Sequence, residues 1–230
     1  MKFNILLLVC TFLTAPVADL LAQDCKTFLP MEVNKTYKYN MYDKKDRFAG
    51  SMEQKLLSME TRGDTTYFNI YQSITDKKGK DSFDGEYTFK CANNVFIMDM
   101  RTMINQQQLE AYKDMEVRIS GTDLTFPKNL EPGMELEDGE INIEVDAGMM
   151  TMRFGNRSFN RKVVALENIE TPAGTYEAYK LSSENEGKAG PVNTYTKSIT
   201  WYVEDVGMVR SENYDKKGNM DGYMELVSVQ

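Results

Sequence analysis

The sequence predicts an all-β domain, mainly antiparallel hairpins, forming a single barrel or half-barrel with one short helix. Three observations carry that expectation. Segments rich in aromatic and β-branched residues recur at short spacing, separated by polar turn residues. Ile141, Ile143 and Val145 alternate with Asn142, Glu144 and Asp146, the two-residue period of a half-buried strand. Asp-Lys-Lys occurs at 43–45, 76–78 and 215–217, in the style of a hairpin turn whose Asp accepts backbone hydrogen bonds while the lysines stay in water.

The first 22 residues read as an export signal. Lys2 supplies a positive start, and the apolar run Ile5–Leu13 is too short to span a bilayer. Ala22 offers a small residue for cleavage before Gln23. A lipid anchor needs a small residue before the acylated cysteine, whereas Cys10 follows Val9 and Cys25 follows Asp24. Cleavage leaves residues 23–230 as one β-rich domain with two cysteines, Cys25 and Cys91. In an exported chain these form one disulfide or remain two free thiols. No later segment is apolar for the roughly 18 residues that a transmembrane helix needs.

Strands are expected at 36–42, 51–59, 65–74, 85–91, 94–100, 115–120, 140–146, 160–167, 175–183, 194–203, 207–214 and 222–229. Between Met103 and Met115, good helix formers place Met103, Leu109, Tyr112 and Met115 on one face. That segment predicts a short helix on the sheet or across a barrel mouth. Residues 126–139 hold Pro127, Pro132, Gly133 and Gly139 and read as a loop-rich junction between two β-rich halves, with leucines that would pack. Thr171-Pro172-Ala173-Gly174-Thr175 is a tight-turn sequence, with Pro presetting φ and Gly supplying the left-handed position. Glu204-Asp205-Val206 separates two further strands, the first of which holds the only Trp, Trp201. The stretches 41–53 and 213–225 agree at seven of thirteen positions, the mark of a repeated hairpin.

Composition removes several function classes. Asp and Glu number 35 against 27 Lys and Arg, for a net charge of −8, which opposes a nucleic-acid partner. His is absent, so there is no Ser-His-Asp triad, Cys-His pair or His-ligated metal. Gly187-Lys188-Ala189-Gly190 lacks the spacing and ending of a phosphate loop. Asp76 and Asp215 lack the ligand series of a calcium loop. Ser198 beside Lys197 is not singled out as a nucleophile by any further feature. The expectation is a non-enzymatic protein with no catalytic residues, no cofactor and no metal site.

Methionine is the compositional oddity, with 16 in the chain. Met149, Met150 and Met152 cluster beside Phe154. Flexible, polarizable methionines suit adaptable apolar binding surfaces as well as ordinary core filling. These four residues are the candidate site for a hydrophobic or lipid-like ligand. The competing expectation is a structural or protein-interaction module of the envelope, with no small-molecule ligand.

Several runs together resemble a known family. They are Asp24-Cys25 through the Asp-Lys-Lys hairpins, the stretch Leu109–Val117, Phe126-Pro127, Thr171–Thr175, Trp201-Tyr202 and Val206–Glu212. Their order and spacing resemble the TapB-like family of exported Bacteroidota proteins, related to a wider class of periplasmic domains of unknown function. The resemblance covers nearly all of the mature chain. It implies a periplasmic or cell-surface location and a β-rich, barrel-like fold, and supplies no catalytic residues. Asp46 and Asn219 depart from its hairpin pattern, where Gly and Lys are favoured. Asp64-Thr65-Thr66 also resembles the O-glycosylation signal of such exported proteins, which makes Thr65 a candidate modification site.

Overall fold

The computed structural model describes residues 26–100, 112–148 and 150–230. Fourteen strands follow in chain order: β1 (Tyr37–Asp43), β2 (Phe48–Arg62), β3 (Thr65–Asp76), β4 (Asp81–Ala92), β5 (Val95–Met98), β6 (Glu116–Thr122), β7 (Leu124–Pro127), β8 (Glu135–Leu136), β9 (Gly139–Asp146), β10 (Thr151–Thr171), β11 (Gly174–Ala189), β12 (Val192–Val203), β13 (Gly207–Tyr214) and β14 (Met220–Val229). Every expected strand is present. β10 and β11 are longer than their apolar alternation suggested, because their outer ends keep pairing from Phe154–Ala189 to Phe159–Glu184 through mostly polar residues. The helix expected at 103–115 falls mostly outside the described residues, and 112–115 is turn.

The strands form one antiparallel sheet in the order β6-β9-β10-β11-β12-β13-β14-β1-β2-β3-β4-β5-β7, with β8 added beside β10. The two edge strands, β6 and β7, are consecutive in the chain and separated only by Asp123. That link brings the sheet back on itself as a nearly closed barrel. Leu124 of β7 packs where a side chain on Gly139 of β9 would sit, so the two edges meet closely.

Two apolar clusters fill the fold. The first joins Leu56, Phe68, Ile70, Phe89, Cys91, Phe96 and Phe126 to Val163 and Leu181 across the interior. Leu130 and Leu136, from the loop-rich stretch, are buried in it. The second gathers Tyr37, Tyr39, Met52, Trp201, Val209 and Leu226. The Trp201 indole N–H donates to Glu167 at 2.9 Å, which satisfies its one polar group.

The N-terminal segment plugs one end. Thr27, Phe28, Leu29 and Pro30 are buried. The Phe28 ring meets those of Phe96, Phe126, Tyr179 and Tyr202 at centroid distances of 5.4–6.5 Å. The Thr27 hydroxyl donates to Asp205 at 2.9 Å, and the Asp205 N–H returns a bond to the Thr27 carbonyl at 2.9 Å. Gly207 follows with φ of 94°, and a Cβ there would press on the Phe28 carbonyl at 3.3 Å. The close approach of the plug and the left-handed backbone both call for glycine at that position.

The three Asp-Lys-Lys turns are alike. The carboxylates of Asp43, Asp76 and Asp215 each accept the backbone N–H groups two and four residues on, at 2.7–3.1 Å. The fourth turn position is left-handed, with φ of 55° at Asp46, 76° at Gly79 and 80° at Gly218. Asp and Gly tolerate that backbone where most residues do not.

Candidate functional site

A cavity of about 260 Å³ lies inside the barrel. Its polar wall comes from β10, β11 and β12: Asn156, Ser158, Ser183, Asn185, Ser198 and Thr200. Ser158 pairs with Asn185, Ser183 with Ser198 and Leu181 with Thr200, and directly opposed residues share a face. These short polar side chains therefore point to one side as a continuous patch. Asn185 donates to Ser198 at 3.0 Å, and Ser198 passes a bond to Asn213 at 2.8 Å. The facing wall is apolar, from Met98, Met100, Leu124 and Phe126.

Arg161 sits between the two walls with only 5% of its surface exposed. A β-bulge in β10 between Phe159 and Lys162 sets its position. Its Nη1 donates to the carbonyls of Thr125 and Glu137, at 3.3 and 2.5 Å, and so ties β7 to the chain entering β9. The guanidinium lies 4.9 Å from the centre of the Phe126 ring. Among the described residues no carboxylate pairs with it. Burial pushes the Arg161 pKa down from its ordinary value, while Tyr202, Asp138 and Glu137 oppose that shift. An arginine stays protonated under these conditions, so the interior holds a fixed positive charge. Two of its five N–H groups are used by the carbonyls. The Nε and Nη2 edge, which matches a carboxylate or phosphate side-on, has no protein partner among the described residues.

The methionine cluster falls beside this cavity and not on its wall. Met150 lies in the β9–β10 turn and is 65% exposed. Met152 and Phe154 are half-buried on β10, opposite Val145 and Ile143. They share the face of Asn156 and Ser158, so they continue the inner face from the cavity toward the turn. Phe154 lies roughly 7 Å from Asn156 along the strand, and its ring meets Tyr112 at 6.0 Å. Met149 lies outside the described residues. Cys91 is fully buried on β4, opposite Phe96, and Cys25 lies outside the described residues. Thr65 opens β3 beside the turn at Gly63 and is half-buried. Among the described residues, no three or more acidic or cysteine side chains converge as metal ligands.

Residues 34–226 match the model of the DUF3108-like family. The chain belongs to the DUF3108-like family. Two solved structures share its fold. One is a Bacteroides fragilis protein inferred to be exported, with a YmcC-like fold; it is 19% identical, with a TM-score of 0.70, over 90% of this chain and all of that one. The other is a Parabacteroides distasonis protein inferred to be a lipoprotein; it is 20% identical, with a TM-score of 0.72, over the same shares. No curated protein matches the chain. The DUF3108-like match and the two structures agree with the wider class of exported domains read from the sequence motifs and do not single out the TapB-like family; none of the three descriptions names an activity.

Sequence reasoning missed Arg161. It keeps step with Val163 on the buried face, which is the one available signal. Val164 is apolar as well, so simple alternation does not reveal which of two adjacent positions faces in.

Proposed function

We propose that this DUF3108-like protein is exported to the cell envelope, in the manner of the TapB-like proteins, and works without catalysis. In this reading its barrel holds the acidic head of a hydrophobic, lipid-like molecule. The single observation that carries the reading is Arg161: a buried cation, lining a cavity, with its side-on edge unpaired by protein among the described residues. A buried charge is costly unless it is paired. A carboxylate or phosphate on that edge would complete its hydrogen bonding. At about 260 Å³ the cavity is near the low end for small-molecule sites. It suits a head group and the start of a chain. The inner face of β10 then leads an apolar tail past Phe154 and Met152 toward Met150.

An export route is supported by the leader-like first 22 residues and by the descriptions of the two structural neighbours. We extend the proposal to a Cys25–Cys91 disulfide. Phe28, three residues after Cys25, packs on Phe96, the strand partner of Cys91. Three extended residues reach roughly 10 Å, enough to bring Cys25 to β4. Thr65 remains the proposed glycosylation site, half-buried at the start of β3.

Native mass spectrometry of protein purified from its own envelope without detergent tests the carrier reading. A mass excess removed by organic extraction is expected, and a bare polypeptide mass would count against it. Displacement of a fluorescent fatty acid supplies the residue-level arm. Arg161→Gln is expected to weaken its binding by roughly tenfold or more, the weight of a charge-assisted hydrogen-bond pair. Unchanged affinity would remove Arg161 from the site.

A further inference from the structure

Antiparallel pairing decides which turns share an end of the barrel. The connections β1–β2, β3–β4, β9–β10, β11–β12 and β13–β14 fall at one end, here called the rim. The connections β2–β3, β4–β5, β10–β11 and β12–β13 fall at the other, the base. All three Asp-Lys-Lys turns are on the rim, and β13-β14-β1-β2-β3-β4 are consecutive neighbours, so the three tips stand side by side. They display the pairs Lys44–Lys45, Lys77–Lys78 and Lys216–Lys217, all exposed. None of these six forms an ion pair among the described residues. Lys216 instead lies 5.2 Å from the centre of the Tyr195 ring on β12, which fixes that tip beside the β11–β12 hairpin. The Asp of each turn is folded back onto backbone N–H groups. The other acidic residues at or next to the tips are Asp46, Asp81, which opens β4, and Asp221. A net charge of −8 makes such a lysine arc a local exception.

The rim also exposes apolar side chains. Phe48 follows the β1–β2 turn, Met150 lies in the β9–β10 turn, and Val192 starts β12 after its turn; all three are exposed. The base turns carry Glu60, Asp64, Glu170, Glu204 and Asp205 on or beside them, with Arg62 paired to Glu60 and Lys26 to Glu204; no lysine stands at the tip of a base turn. Lysines around protruding apolar side chains are the chemistry of an anionic bilayer surface, where ammonium groups meet phosphates and apolar tips enter the head-group layer. The cavity points the same way. From Arg161 its wall runs through Ser158 to Asn156 on β10, toward the β9–β10 turn.

We propose that the rim docks on an anionic phospholipid surface, with the barrel mouth facing the lipid. The orientation rests on the carrier reading above; the docking itself does not. The purified protein is sedimented with vesicles of phosphatidylglycerol and, separately, of phosphatidylcholine. Sedimentation with phosphatidylglycerol alone, weakened by salt, is expected. Replacing one lysine pair, as in Lys44→Gln with Lys45→Gln, is expected to lower vesicle affinity by roughly tenfold. Replacing all three pairs should abolish sedimentation while leaving the unfolding midpoint in place. Phe48→Ser with Met150→Ser should weaken binding that persists in high salt. Failure to sediment with phosphatidylglycerol overturns the proposal, as does sedimentation indifferent to the lysines. Capture by a soluble anionic polysaccharide in place of vesicles also overturns it. Arg161→Gln separates the two readings: it should lose the fatty-acid probe and still sediment normally.

Discussion

The two ends of the barrel are built from opposite materials. At the base, the N-terminal segment enters the interior and Phe28 packs edge-on or tilted against four aromatic rings. Lys26 pairs with Glu204 at 2.7 Å, and Thr36 exchanges two backbone bonds with Gln230, so the described start of the chain and its last residue are both tied down there. At the rim, the interior is lined by Asn156, Ser183, Asn185 and Ser198, and the turns hold lysines in water. Apolar burial, at about 25 cal/mol per Å², concentrates stability where the aromatic rings are. The difference teaches that apolar packing and the polar cavity with its lysine rim lie at different ends, so single substitutions should separate stability from the proposed binding.

The largest expected effect is at the plug. Phe28→Ala removes a ring at the centre of the first cluster and leaves a cavity, with a cost of about 3–5 kcal/mol. Denaturant unfolding at neutral pH would read this as a lower midpoint. Lysine-to-glutamine changes at the rim should stay within about 0.5 kcal/mol of the parent. Arg161→Gln should fall between the two in stability, since it removes a buried charge but frees two carbonyls at the seam. Comparable losses at Phe28 and at the rim lysines would break the division.

A smaller effect sharpens the rim side. Asp43 is held down to about 2 by the Arg47 side chain and by the N–H groups of Lys45 and Arg47. Asp76 is lowered first by the Lys80 N–H, and Asp215 first by the Asn219 side chain. Each carboxylate is more acidic folded than unfolded. Its contribution is complete above the ordinary value of 3.8 and is lost as pH falls through the folded value, toward about 2 at Asp43. All three groups are exposed, so the contribution is modest. Asn at the three positions keeps the Oδ1 acceptor and removes the charge. That triple variant should show a flatter fall in stability below the carboxylate range, measured by thermal unfolding across acid pH. An unchanged acid limb would mean that the carboxylate charge adds nothing to the neutral hydrogen bonds of the turns.

Much of this fold is legible in the sequence. Alternation at Ile141–Val145 marks β9, and the Asp-Lys-Lys spacing marks three turns whose hydrogen bonds follow from Asp geometry. The candidate site is less legible. The inner residues Ser183, Asn185, Ser198 and Thr200 alternate with Glu184, Lys197 and Ile199, so neither face of those strands looks like a core. Thr27–Pro30 has no periodicity at all, because its partners come from strands far along the chain. The methionine cluster was visible as composition, yet its relation to Arg161 depends on the bulge in β10, and no local pattern announces that bulge.

The smallest effect tests whether the second cluster belongs to the packed end or to the polar one. Tyr39 is fully buried between Met52 and Leu226, and its hydroxyl has no hydrogen-bond partner among the described residues. Burial drives its pKa far up, with Tyr37, Tyr202 and Tyr176 adding to the rise. A buried hydroxyl left unpaired costs about 1–3 kcal/mol, whereas the ring packs equally well without it. Tyr39→Phe should therefore leave stability within about 1 kcal/mol of the parent and on the stabilising side. Equilibrium unfolding in denaturant reads the sign directly. A clear loss of stability would mean that the hydroxyl is bonded. Tyr202 lines the cavity together with Arg161. The polar interior would then extend from Arg161 through Tyr202 into the second cluster, and the boundary between the two ends would move toward the base.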